Sequence, residues 1–143
     1  MSTINVKEQE IINIFNNAIE NHKKLWNWIA DETLRSCRKV KKSEYFKANK
    51  VGYAKSSCYC CQFVEDIREV VNIVPFCSCH VLCPINWNTE SCTENDSLYM
   101  KWEGAVEWYD CYKFAKQIAE LEPNIEALAK LLDIVREGES KHE

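Results

Sequence analysis

Residues 58–92 read CYCCQFVEDIREVVNIVPFCSCHVLCPINWNTESC and hold seven of the chain's nine cysteines: Cys58, Cys60, Cys61, Cys77, Cys79, Cys83 and Cys92. His80, one of three histidines, falls among them. Thiolates and imidazole at short spacing grip Zn²⁺ through soft sulfur and borderline nitrogen. Cys58 and Cys61 form a C-x2-C pair, and Cys79 and Cys83 a C-x3-C pair, with seventeen residues between Cys61 and Cys79. That separation suits the two halves of a four-ligand site, and four protein ligands leave no position open for water. The expectation is a structural zinc held by Cys58, Cys61, Cys79 and Cys83, with His80 or Cys92 as substitutes for Cys79. Trp87 follows Cys83 closely enough to cover the metal. The spare thiols Cys60, Cys77 and Cys92 read first as small buried hydrophobes, with a second metal or an iron–sulfur cluster as the alternative.

Working outward, the segment is framed by helical patterns. Upstream, Ile11, Phe15, Ala18, Ile19, Leu25, Trp26, Ile29 and Ala30 recur with a 3.6-residue period, which predicts a helix to about Arg35. Such a helix is about 45 Å long, so part of its stripe is expected either to pack on a second chain or to bend within one. His22 lies on that stripe and reads as a core histidine. Within the cysteine stretch, Phe63, Ile67, Val70, Val71 and Val74 keep helical spacing up to Pro75. Downstream, a wide apolar surface runs from Leu98 to Leu121, with Gly104 as a joint. Pro123 suits the first position of a last helix, which Gly138 ends.

With only three glycines and three prolines in 143 residues, the fold class is mainly α. It is one domain: residues 1–36 an N-terminal helix, 37–57 a basic connector, 58–97 the metal-binding segment and 98–138 the C-terminal helices. The first ten residues, MSTINVKEQE, lack an apolar core and predict no secretory leader, and no apolar run is long enough to span a membrane. A cytoplasmic setting keeps thiols reduced, and an odd number of cysteines does not close a disulfide framework.

The connector changes the sign of the charge. Arg35, Arg38, Lys39, Lys41, Lys42, Lys47, Lys50 and Lys55 meet one acid, Glu44. Residues 35–55 therefore carry +7 and the rest of the chain −11, against −4 overall. With Tyr45, Phe46 and Tyr53 interleaved, this is either a solvated segment offsetting an acidic chain or an anion-binding surface. The second reading assigns partner binding to Arg35, Arg38, Lys39, Lys41, Lys42 and Tyr45. Catalytic signatures are missing: no glycine-rich phosphate loop, no H-E-x-x-H, no G-x-S-x-G and no zinc-deaminase pattern occurs.

HKKLWNWIADE at 22–32, the C-x2-C at Cys58 and Cys61, CPINW at 83–87, Cys92, LYMKW at 98–102 and AKQIAEL at 115–121 stand in that order over about two-thirds of the chain. In these elements the sequence resembles a group of small cysteine-rich phage and prophage proteins of uncharacterised function. Members of that group usually carry a cysteine at the position of His80, and Cys79 stands one residue away. The resemblance implies a chain working in an infected or lysogenic bacterial host by binding. It would disable a host defence component or sequester a nucleotide-like signal, and a nucleic-acid-binding regulator is the alternative. No catalytic residue follows from it.

Overall fold

The computed structural model describes residues 6–50, 59–70, 83–87, 92 and 94–140. Those residues form six helices: α1 Val6–Ser36, α2 Lys42–Ala48, α3 Tyr59–Val70, α4 Leu98–Gly104, α5 Trp108–Ala119 and α6 Ile125–Ser140. The mainly helical class expected from the sequence is what is seen. No strand forms among the described residues, and the sole isolated bridge there pairs Ile85 with Pro123 in antiparallel fashion. No helix among them is long and apolar enough to cross a membrane.

Helix α1, 31 residues and so roughly 46 Å, is the spine. Its apolar stripe is buried in two successive clusters. Ile11, Phe15 and Ala18 pack with Phe63, Val64 and Ile67 of α3 and with Leu131 and Val135 of α6. Leu25, Trp26, Ile29 and Ala30 pack with Phe46, Ile85, Trp87, Trp102, Cys111, Ala115 and Ile118. The stripe is thus covered within the chain along most of its length. Two polar contacts set α5 antiparallel to α1: His22 Nε2 lies 3.0 Å from Ile118 O, and Lys116 Nζ donates to Asn27 Oδ1 at 3.3 Å.

Local chemistry fixes the ends. Cys37, with φ of 55°, closes α1 in the left-handed region, its N–H reaching Thr33 O at 2.9 Å. That is the conformation a glycine ordinarily supplies at a helix end. In α2, the Glu44 carboxylate accepts the Lys41 N–H at 2.7 Å, satisfying a donor at the helix start. Ser97 caps α4 by accepting the Met100 N–H at 3.1 Å.

Two boundaries differ from the sequence reading. The last helix begins at Ile125, because Asn124 takes the capping role through its Oδ1, 3.2 Å from Ala127 N. Pro123, which has no N–H to cap, instead lies in the bridge to Ile85. Gly138 falls inside α6, which runs on to Ser140.

Candidate functional site

The described part of the cysteine region centres on CPINW, residues 83–87. It is anchored to the α5–α6 junction by backbone bonds from Asn86 N to Glu122 O at 2.9 Å and from Asn124 N to Pro84 O at 2.8 Å. Asn124 Nδ2 adds a bond to Cys83 O at 3.1 Å. Pro84 lies in a bend, and Ile85 beside it is buried in the core, 1 % exposed. Cys83 and Trp87 are also buried, and the indole Nε1–H of Trp87 donates to Cys83 Sγ at 3.3 Å. Trp87 is seated in turn by edge-to-face contacts with His22, 5.9 Å between ring centroids, and with Tyr99 at 6.3 Å. Cys92 is half-buried against the same cluster, and its carbonyl accepts the Ser97 hydroxyl at 2.5 Å.

Of the expected ligands, Cys83 and the substitute Cys92 thus border one core cluster. Cys61 belongs to α3, its side chain outside the description, and Cys58, Cys79 and His80 lie outside the described residues. Among the described residues no three metal-ligating side chains converge. The Cys83 sulfur accepts the indole N–H, which a thiol and a metal-bound thiolate can both do.

Two lysines of the basic connector, Lys39 and Lys42, fold back on their own chain. Lys39 Nζ donates to three carbonyls at the C-terminal end of α4: Trp102 at 3.1 Å, Glu103 at 2.8 Å and Ala105 at 3.2 Å. All three ammonium donors are used, and the charge sits where the helix dipole is negative. The same group lies 4.9 Å from the Trp102 ring centroid. Lys42 Nζ lies 4.4 Å from the Tyr99 centroid and 5.9 Å from that of Trp26. Tyr45 is buried between Trp28 and Phe46, with centroids 5.6 and 5.4 Å away.

Arg35, Arg38 and Lys41 are exposed, together with Lys47 and Lys50 beyond them. Arg35 pairs with Glu32 at 2.5 Å, and Arg38 with Glu44 at 2.7 Å. The Arg38 guanidinium beside Glu44 holds its carboxyl below the usual range, with the Lys41 N–H adding to the effect and burial opposing it.

Three features escaped the sequence reading. The Trp87–Cys83 bond had a signal in the nearness of the two residues in the chain, which places Trp87 beside Cys83. The docking of Lys39 onto α4 had none, since 63 positions separate Lys39 from Trp102. The third is a cavity of about 100 Å³ between α1 and α3, edged by Asn17, Asn21, Gln62, Asp66 and Tyr59. Burial pushes the Tyr59 phenol up to about 12, with Tyr45 contributing.

No family model, curated protein or solved structure matches the chain.

Proposed function

We propose that the chain is a non-enzymatic binding protein of phage or prophage origin, with a structural zinc, that inhibits a host defence component. Its partner is an acidic host protein or a nucleotide-like anion. The observation that supports this reading is the row of exposed basic residues where α1 gives way to α2: Arg35 and Arg38, each paired with one carboxylate, then Lys41, Lys47 and Lys50. The bonds that dock Lys39 and Lys42 onto aromatic rings hold that row in place. The phage context comes from the sequence resemblance alone. Cys58, Cys61, Cys79 and Cys83, with His80 and Cys92 as substitutes, would hold the zinc. The ion would clamp the chain by joining the C-x2-C end of the segment to CPINW, so that metal binding is coupled to folding.

The test is protection of phage growth on defence-carrying hosts, by the wild-type chain and by a variant with Arg35, Arg38 and Lys41 all changed to Ala. Loss of protection by a variant that stays folded and metal-loaded supports the reading, and undiminished protection contradicts it. Titration with DNA and RNA at increasing salt separates the alternative, a nucleic-acid regulator. Such a protein would show binding that falls steeply with salt and is lost in the same variant.

A further inference from the structure

The cavity between α1 and α3 shares no residue with the cysteine segment's core contacts or with the basic row, and every residue lining it belongs to one of those two helices. Asn17 and Asn21 stand one turn apart on α1, and Gln62 and Asp66 one turn apart on α3, so two polar pairs border the same gap. Gln62 Nε2 donates to Asp66 Oδ1 at 2.9 Å, which ties the α3 pair together. The floor is apolar: Ala18 and Phe63 are buried, with Ile14 beside them. We infer that this cavity binds the guanidinium group of a ligand. Its N–H edge would donate to Asp66 Oδ2 and to the carboxamide oxygens of Asn17 and Asn21, with its weakly hydrated face on the apolar floor. Size agrees. An apolar cavity of about 150 Å³ takes benzene with its six ring carbons, so about 100 Å³ suits a group of about four heavy atoms.

Charge selects the class of ligand. Among the described residues lining the cavity there is no lysine, arginine or histidine, and Asp66 is the carboxylate. Burial pushes the Tyr59 phenol up to about 12, so that group stays neutral at physiological pH. An anion would therefore meet a carboxylate with no cation beside it to offset the repulsion. A divalent metal would find a single carboxylate for its two charges, where calcium sites gather about six to eight oxygens. A monovalent cation matches the lining. An ammonium is a compact, strongly hydrated charge, whereas a guanidinium is planar and carries its donors around its edge. An apolar floor under a polar rim fits the second. Two sources share that chemistry: a free guanidino compound, or an arginine side chain reaching in from a partner protein.

The test titrates the full chain with n-butylguanidinium, n-butylammonium and N-acetylarginine N-methylamide, followed by NMR of the side-chain amides. Butylguanidinium should bind saturably and shift the amide protons of Asn17, Asn21 and Gln62. Butylammonium, lacking the planar fork of donors, should bind about tenfold more weakly. An arginine amide that binds as tightly as butylguanidinium assigns the site to a partner's arginine, and a weaker one assigns it to a free guanidino compound. Asp66→Asn keeps the shape and removes the charge, and should weaken butylguanidinium about tenfold or more, the scale of a hydrogen bond to a charged group. Glu69→Gln removes the same charge from an exposed position on the same helix, and should change affinity by less than about twofold. Equal losses in the two variants, equal affinity for the two butyl cations, or shifts spread over the acidic surface would overturn the inference. So would no saturable binding up to about 20 mM, past what a group this small should need. Should Asp66→Asn not fold, the two butyl cations and the mapped shifts on the wild-type chain decide the matter. Neither the zinc nor the basic row takes part in this site, so each reading can fail without the other.

Discussion

The ammonium of Lys39 sits 3.1 Å from the carbonyl oxygen of Trp102 and 4.9 Å from the centroid of its ring. One side chain thereby closes the C-terminal end of α4 and ties the connector to the core. Lys39→Met, which keeps the stem and removes the donors, should destabilise the fold by about 2 kcal/mol, the scale of hydrogen bonds to a charged group plus a cation–π contact. Urea unfolding checks this. A loss below about 0.5 kcal/mol would mean the contacts are worth no more than an exposed pair.

The two end helices are joined by Glu8 and Arg136, with Arg136 Nε 2.5 Å from Glu8 Oε1. The glutamate side chain is 8 % exposed and the arginine 62 %. Removing Arg136 takes a partner from a buried carboxylate, whereas removing Glu8 leaves a guanidinium still in water. Arg136→Ala should therefore cost about 1–2 kcal/mol, less than a fully buried pair because solvent screens the arginine. Glu8→Gln should cost less than that. Equal losses from the two changes would contradict this asymmetry.

Stability should fall in acid partly through Glu44. Its folded pKa is depressed, chiefly by the Arg38 hydrogen bond. The resulting stabilisation is present above the unfolded value of about 4.3 and is lost as pH drops through the lower folded value. The stability gap between wild type and Glu44→Gln should accordingly be widest near neutrality and narrow below about pH 4. Arg38→Ala should shrink the pH-dependent part. A gap that is constant from pH 7 to 3 would exclude the mechanism.

Cys37 is exposed, and its left-handed backbone strains any residue with a Cβ. Cys37→Gly should raise stability by up to about 1 kcal/mol, the relief being partly offset by the greater freedom of glycine when unfolded. A rise in Tm with unchanged helicity is the readout, and a fall would show that the thiol contributes to packing.

How much was legible follows from the range of each interaction. The stripe of α1 was plain, because a 3.6-residue period writes a helix's buried face directly into its sequence; Ile11, Phe15, Leu25, Trp26 and Ile29 are all buried. The burial of His22 followed from its place on that stripe. The fate of the basic connector was not legible. Lys39 and Lys42 read either as solvated cations or as part of an anion-binding surface, and the packing of Trp102, Tyr99 and Trp26 against them has no signal in the sequence. Nor was the start of α6, since Pro123 and Asn124 both suit a helix entrance and the pairing with residues 84–86 selects Asn124. Within the candidate site, only Cys83, Cys92 and the backbone of Cys61 fall among the described residues.

The central claim is that a metal clamps the cysteine segment, and metal content tests it most directly. Elemental analysis of the purified, folded chain should find about one zinc per chain, the stoichiometry of a four-ligand site. Chelation should strip the zinc and unfold the protein, since binding and folding are coupled. A metal-free chain with full helicity and cooperative unfolding would contradict the account.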